Sequence, residues 1–194
     1  MTQPTPDVIL PRRILGAVLA GGRASRFGSD KALALLDGKP LIGHAVAGLR
    51  RHAQAVVVCG REWPYMTCLA DRPEPGQGPL GGLNAALHHA RLHGFDAVIT
   101  TGCDMPDFPD AAAQALLDGA GAAILDRHHL AALWPADLAD RLDRHMADTP
   151  DRSLFGWIAR VRPRVVTLPG IVMPNINHVG ELDALAHARR ARNT

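Results

Sequence analysis

Two cations that follow a pair of glycines are the first residues in this sequence whose types and spacing indicate chemistry. Gly21 and Gly22 are adjacent, and Arg26 and Lys31 come shortly after them. Adjacent glycines let the backbone approach an anion closely, so that successive N–H groups can point at phosphate oxygens. Arginine offers a planar fork to two oxygens, whereas lysine places a compact charge on one. The stretch therefore predicts a loop that binds a polyphosphate.

The spacing within this loop excludes two common phosphate-binding motifs. The order GxxxxGK[ST] of a P-loop is absent, and so is the order GxGxxG of a dinucleotide site. Residues 19–31 instead resemble LAGGxxxRxGxxK, the signature of nucleotidyltransferases that carry a nucleoside triphosphate on a Rossmann-like sheet. The alternative is a glycine-rich turn between a strand and a helix with no ligand, which a pair of glycines alone would favour.

A carboxylate at the end of a later apolar strand predicts a metal ligand. Residues 95–101 have the pattern of a buried strand, and Asp104 follows it, where open α/β sheets bind their ligands. Magnesium is commonly held by one or two carboxylates together with substrate phosphates, which makes Asp104 the leading candidate. The alternative role is a cap for the helix after Pro109, for which Asp107 and Asp110 are better placed.

Two other stretches carry patterns that suit a ligand site. Gly81 and Gly82 lie inside a predicted helix, where glycine costs stability, so we expect a close neighbour there, with a nucleotide base or ribose as a candidate. Asn175 and Asn177 project to one side of an extended segment and offer amides that both donate and accept hydrogen bonds. As ordinary turn residues they would need no function.

Strands and helices alternate along the chain, which predicts an α/β fold in one domain, residues 12–194. A polar, proline-rich stretch at residues 1–11 is expected to be a disordered tail. Residues 122–125 and 129–134 are expected to form a hairpin, and residues 61–78 to be irregular. The expected strands are 14–20, 55–59, 95–101, 122–125, 129–134 and 164–168, and the expected helices are 41–52, 78–92, 111–118, 138–147, 154–161 and 181–192.

Composition and charge exclude several classes of function. The 194 residues are 47% hydrophobic but 4% aromatic, which suits one domain with a core of alanine, leucine and valine. The net charge of +2, without a long run of cations, argues against nucleic acid as a partner. The three cysteines lack a CxxC spacing, which argues against disulfides and against a zinc site. We therefore expect a reducing cytoplasm. The histidines are not spaced as metal ligands either. No apolar run is long enough to span a membrane.

Four separated segments, in order, resemble the molybdenum cofactor guanylyltransferases over residues 14–185. The sequence LAGG at residues 19–22 is closer to these enzymes than to their cytidylyltransferase relatives, which usually have LAAG. The family often has Asn after its second strand, where this chain has Cys59-Gly60-Arg61. The matching segments are residues 19–31, Gly78-Pro79-Leu80-Gly81-Gly82, Cys103-Asp104-Met105-Pro106 and Asn175-Ile176-Asn177.

The resemblance implies a three-layer Rossmann-like fold with a mostly parallel sheet flanked by helices, and it implies roles for individual residues. Arg26, Lys31 and Asp104 would be catalytic, and Asp104 would bind Mg²⁺. Asn175 and Asn177 would bind the acceptor. For Asp71 the alternative is a solvated loop residue. The implied nucleotide-binding residues are Leu19, Ala20, Gly21, Gly22, Lys31, Asp71, Gly78, Pro79 and Leu80.

The activity that the resemblance implies is transfer of GMP from Mg-GTP to the phosphate of molybdopterin, with release of pyrophosphate. GTP and molybdopterin would be the ligands, and proteins of molybdenum cofactor biosynthesis or molybdoenzyme maturation the partners. Two alternatives stay open: a cytidylyltransferase or sugar-phosphate nucleotidyltransferase on the same scaffold, and a nucleotide-binding domain without turnover. It also stays open whether Leu182, Leu185 and Ala186 of the last helix pack within the chain or on a second subunit.

Overall fold

The structure, a computed structural model, describes residues 12–21, 30–171 and 173–192. The expected tail, residues 1–11, lies outside the described residues. Gly22 and Arg26 of the glycine-rich loop, residues 21–29, also lie outside the described residues.

Nine strands lie in the described part of the chain, and seven of them form one sheet. The order in that sheet is β5-β4-β1-β6-β8-β7-β9, and only β8 runs antiparallel to its neighbours. The expected hairpin is confirmed, since β7 and β8 pair antiparallel, while β2 and β3 form a separate two-stranded hairpin. The strands are β1 Ile14–Leu19, β2 Leu35–Leu36, β3 Lys39–Pro40, β4 Ala55–Cys59, β5 Thr67–Leu69, β6 Ala97–Gly102, β7 Ala123–Leu125, β8 His128–Pro135 and β9 Arg164–Val166.

The described residues form six α-helices, and their positions match the periodic segments of the sequence. Two short 3₁₀ turns, Lys31–Leu33 and Ala136–Leu138, add to them. No helix in the described ranges is long and apolar enough to cross a membrane. The helices are α1 Leu41–Arg50, α2 Gly78–Leu92, α3 Asp110–Leu117, α4 Ala139–Asp148, α5 Leu154–Val161 and α6 Val179–Arg192.

The helices cover both faces of the sheet, so the three-layer α/β arrangement is confirmed. All six residues of β1 are buried, and their side chains alternate between two apolar clusters. Ile14 and Val18 pack on the face that α1 and α3 cover, whereas Leu15 and Leu19 pack on the face of α2, α4 and α5. A strand covered on both faces is expected to be a continuous apolar run, as β1 is.

One strand lies where the sequence predicts irregular chain. Residues 61–78 contain β5, Thr67–Leu69, which pairs in parallel with β4 at the edge of the sheet. The prediction was wrong here because a three-residue edge strand has too little periodicity to stand out among prolines.

The last helix packs its apolar side against residues of its own chain. Leu182 joins a small apolar cluster with Leu36, Leu41 and Ile176, and Leu185 and Ala186 pack against it. Arg189 adds ion pairs to Asp37, with Nη1 to Oδ2 at 2.9 Å, and to Asp107. Helix α6 therefore holds the segment before it against the β2–β3 hairpin.

A buried histidine in α4 makes the stability of this fold depend on pH. His145 is 4% exposed, packs on Trp157, and has no hydrogen-bond partner on either ring nitrogen among the described residues. Burial lowers the pKa of its imidazole, so the unfolded chain binds a proton more readily than the folded protein does. The free energy of unfolding should therefore fall as the pH drops below about 6.5.

Replacing His145 by Leu should weaken this dependence, because the variant has no imidazole to protonate on unfolding. Urea denaturation at a series of pH values between about 7 and 5 measures it. His187→Leu, at an exposed position of α6, is the control. An identical loss of unfolding free energy in the wild type and in His145→Leu would contradict the assignment.

Candidate active site

A cleft opens at the carboxyl edge of the sheet, where the strand order reverses direction. Strand β1 lies between β4 and β6 and is parallel to both, so the segments that follow these three strands meet. Open α/β sheets bind their ligands at this kind of position. The cleft is lined by Leu19, Ala20, Gly21, Asp30, Lys31, Ala32, Cys59, Asp71, Gly78, Pro79, Gly82, Cys103, Asp104 and Leu130.

An ion pair between two of the three predicted catalytic side chains, Lys31 and Asp104, spans the cleft. Lys31 begins the 3₁₀ turn after the glycine-rich loop, and Asp104 follows β6. The Nζ atom of Lys31 lies 2.6 Å from Oδ2 of Asp104, and the two side chains are 22% and 11% exposed. The alternative that Asp104 caps a helix is wrong, because α3 begins after Pro109 without a side-chain cap.

A second ion pair lies beside the first and was not predicted from the sequence. Arg61, two residues beyond β4, donates through Nη1 to Oδ1 of Asp30 at 3.0 Å and through Nη2 to Oδ2. Oδ1 of Asp30 also accepts the Ala32 N–H at 3.2 Å and so caps the 3₁₀ turn. The Arg61 guanidinium lowers the pKa of Asp30, which stays ionised at neutral pH.

These two ion pairs surround the buried thiol of Cys103. Burial, with a further contribution from Asp104, raises the pKa of Cys103 to about 12. A thiol with such a pKa is protonated at neutral pH and is a poor nucleophile. Cys103 is therefore a buried residue just after β6 rather than a candidate nucleophile.

Asp71 is buried in the wall of the cleft, so the alternative of a solvated loop carboxylate is wrong. Its side chain faces the backbone of Gly21, Gly60 and Gly81, which leave room for it. Oδ2 accepts the Gly76 N–H at 3.2 Å, whereas Oδ1 is buried without a partner in the described structure. Burial raises the pKa of this carboxyl, and the Gly76 and Gln77 amides oppose the rise.

The close neighbours expected at Gly81 and Gly82 are atoms of the protein itself. A Cβ atom on Gly81 would lie 2.6 Å from Cβ of Gln77 and 2.8 Å from Cβ of Asp71. A Cβ atom on Gly82 would lie 3.0 Å from Cβ of Cys59. These glycines therefore let the start of α2 approach Asp71 and β4, which explains them without a base or ribose.

Residues Asn175-Ile176-Asn177, the asparagine segment, lie against Asp104 through a backbone contact. The Ile176 N–H donates to the Asp104 carbonyl at 2.9 Å, and the Ile176 side chain is buried. Glu181 accepts the N–H groups of Asn177 and His178 at 2.6 and 3.0 Å. These bonds lower the pKa of Glu181 and fix the asparagine segment at the start of α6.

Most of the predicted nucleotide-binding residues line the cleft. Leu80 differs, because its side chain is fully buried in the core and leaves only its backbone for a ligand. Gly22 and Arg26 lie outside the described residues, and Asn175 and Asn177 stand beside the cleft rather than in its lining. The predicted residues that line it are Leu19, Ala20, Gly21, Lys31, Asp71, Gly78, Pro79 and Asp104.

The structure also brings one histidine close to two carboxylates, which the sequence spacing does not reveal. Nε2 of His88 in α2 lies 2.8 Å from Oδ2 of Asp143 in α4. Potential ligand atoms of His88, Asp143 and Asp140, which is on the same helix as Asp143, lie within 4.8 Å of one another. Asp140 also pairs with Arg91 at 2.7 Å. Each of these side chains has a protein partner, so the group forms polar contacts between two helices.

Comparison with known proteins decides the family once this geometry is known. A family model described as MobA-like NTP transferase domain matches residues 16–162. The chain belongs to the MobA-like NTP transferase family. The molybdenum cofactor guanylyltransferase of Acidiphilium cryptum is 33% identical over 183 residues, 89% of this chain and 93% of that protein.

Solved structures share the fold of this MobA-like chain. Molybdopterin-guanine dinucleotide biosynthesis protein A from Archaeoglobus fulgidus superposes with a TM-score of 0.71 at 23% identity, covering 91% of this chain and 99% of that one. A Mycobacterium tuberculosis protein in complex with manganese has a TM-score of 0.65 at 14% identity, with 91% and 99% covered. A nucleotidyltransferase sheet flanked by helices is thus confirmed.

The contact between Gly81 and Asp71 can be tested by adding one methyl group. We expect Gly81→Ala to lower the free energy of unfolding by about 1–3 kcal/mol, because the new Cβ overlaps Asp71 and Gln77. Gly180→Ala is a matched control, since Gly180 is also near a helix start but has no neighbour within 4 Å among the described residues. Equal unfolding free energies for Gly81→Ala and the wild type in urea would contradict the packing at Asp71.

Proposed function

We propose that this protein transfers GMP from GTP to the terminal phosphate of molybdopterin. An oxygen of that phosphate forms a bond to the α-phosphorus of GTP, the bond from the α-phosphorus to the bridging oxygen of the β-phosphate breaks, and pyrophosphate leaves. The product is molybdopterin guanine dinucleotide. The observation that carries the proposal is the Lys31–Asp104 pair, which lies where the strand order reverses direction in a MobA-like chain. The name of the curated relative supports the guanylyl and molybdopterin specificities.

The chemistry needs charge and position rather than a protein nucleophile. The attacking phosphate is already anionic, so no strong general base is required. Cys103, the thiol beside Asp104, is protonated at neutral pH and offers no covalent route. Catalysis then rests on holding the two phosphates in line and on neutralising the charge that develops.

Lys31 is the cation in the described cleft that we assign to the triphosphate. Its ammonium pairs with Asp104, and a phosphate oxygen can replace that carboxylate as partner. The exchange leaves Oδ2 of Asp104 free as an oxygen ligand. Arg26, in the glycine-rich loop, is proposed to bind the same triphosphate, and the backbone of Leu19, Ala20 and Gly21 to line it.

The donor atoms of the cleft suit a hard divalent cation, and we propose Mg²⁺ at Asp104. Three carboxylates, of Asp30, Asp71 and Asp104, line the cleft, and one oxygen of Asp71 is buried without a partner in the described ranges. Magnesium prefers such oxygen ligands and completes its shell with substrate phosphates. The ion would supply charge neutralisation at the phosphates, while Asp104 holds it.

The acceptor is proposed to lie on the side of the cleft where the asparagine segment runs. Asn175 and Asn177 flank Ile176, whose N–H donates to the carbonyl of Asp104, so this segment runs beside the proposed metal ligand. Amides can donate to a phosphate and also accept from the pterin ring. Cytoplasmic location and delivery to proteins of molybdoenzyme maturation remain predictions.

Thermal stabilisation by nucleotides tests the base specificity. With Mg²⁺ present, GTP should raise the melting temperature more than CTP, ATP or UTP, because a ligand that binds only the folded state stabilises it according to its affinity. A larger shift with CTP would move the assignment to the cytidylyltransferase alternative. No shift with any of the four nucleotides would contradict nucleotide binding altogether.

The role of Lys31 is tested by pyrophosphate release with GTP and molybdopterin. Lys31→Ala should lower kcat by about a hundredfold or more, since it removes charge stabilisation in the transition state. Lys39→Ala is the matched control, because Lys39 is exposed in the β2–β3 hairpin. Wild-type kcat in Lys31→Ala would remove Lys31 from catalysis. GTP binding without pyrophosphate release by the wild type would favour the domain without turnover.

A further inference from the structure

Gly60 and Arg61 together contact the two ends of the glycine-rich loop. Gly60, just before it, has φ +82° and lies against the start of the loop, where a Cβ atom would be 2.5 Å from Cα of Gly21. The Arg61 guanidinium then reaches Asp30, the first residue described after the loop, and occupies both of its carboxylate oxygens. Residues 60 and 61 therefore hold the beginning and the end of the loop at the end of β4.

The contact between Arg61 and Asp30 lies beside the carboxylate that Lys31 binds. Asp30 is the neighbour of Lys31 in the chain, so its carboxylate is a natural competitor for the ammonium. Two bonds from Arg61 and one from the Ala32 N–H engage both oxygens of Asp30. Lys31 turns instead to Asp104, 2.6 Å away, on the other side of the cleft.

The pairing also keeps the turn that carries Lys31 in place. Asp30 caps the turn Lys31–Leu33, and Ala32 of this turn is buried. Arg61 lowers the pKa of Asp30, and Asp30 in turn raises the pKa of Arg61, so both stay charged. An arginine fork that binds both oxygens of a carboxylate restricts orientation as well as distance.

We propose that Arg61 is a positioning residue for Lys31. By holding Asp30, it fixes the 3₁₀ turn and keeps the Asp30 carboxylate from pairing with the lysine, so that the ammonium points across the cleft. The inference rests on the proposed function, because it concerns how Lys31 is presented to the nucleotide. It differs from a direct contact between Arg61 and a phosphate, which would act on nucleotide binding without Lys31.

A double-mutant cycle with Lys31 tests this role. Arg61→Met should lower kcat by about ten- to a hundredfold, because a misplaced catalytic group loses most of its effect, with little change in KM for GTP. In the Lys31→Ala background the same substitution should lower kcat no further, since the residue that it positions is absent. Arg61→Lys, which keeps the charge but not the fork, should recover part of kcat.

Two further variants separate positioning from loss of folding. Asp30→Asn removes the charge of the same contact and also the competing carboxylate, so its kcat should fall less than that of Arg61→Met. Arg91→Met is the control, because Arg91 pairs with Asp140 outside the cleft at 2.7 Å, and its kcat should equal that of the wild type. Melting temperatures of all variants are measured alongside.

The outcomes distinguish this inference from the proposed function. Equal fold-losses of kcat for Arg61→Met with and without Lys31 would overturn the positioning role while leaving the function intact. So would a rise in KM for GTP at constant kcat, which would indicate direct phosphate binding. Wild-type kcat in the Lys31→Ala single variant would overturn the proposed function itself, and the positioning role with it.

Discussion

The burial of β1 between β4 and β6 is the constraint on which the rest of the structure depends. Each of its six residues is buried, and both neighbouring strands run parallel to it. Parallel strands deliver their carboxyl ends to the same edge of a sheet, so Gly21, Cys59 and Asp104 arrive in one cleft although they are far apart in the chain. The site is a consequence of strand register before any side chain in it makes a contact.

In and beside the cleft, the lysine and the arginine that the structure describes there are paired with the protein's own carboxylates. Lys31 pairs with Asp104 and Arg61 with Asp30, which leaves this part of the site with little net charge. A charge removed from water needs a partner, and these pairs supply it. Because the side chains keep some exposure, substrate phosphates can replace a carboxylate without first opening the core. Asp71 adds a different element, a carboxylate oxygen that is buried beside three glycines.

The asparagine segment is held next to Asp104 by a hydrogen bond and by apolar packing. Ile176 is bonded to the Asp104 backbone, and its side chain packs with Leu182 of α6 and Leu36 of the hairpin. The proposed acceptor side and the proposed metal ligand are thus tied by one hydrogen bond and one apolar cluster. Glu181, in the first turn of α6, accepts the N–H groups of Asn177 and His178 and so holds the end of this segment.

Local pattern was sufficient for the helices, for the longer strands and for the residue types at the site, but not for the short edge strand β5. The apolar run of β1, the helix limits of Gly78–Leu92 and the strand-end position of Asp104 can all be seen in the sequence, because periodicity and turn residues act over short stretches. Tertiary structure alone decided which charges meet. The pairing of Arg61 with Asp30, the burial of Asp71 and the packing of α6 on Leu36 join residues from separate segments, and nothing in the local sequence encodes their distance. A side chain's partner depends on how strands and helices are placed in space, whereas its chemistry depends on its type alone.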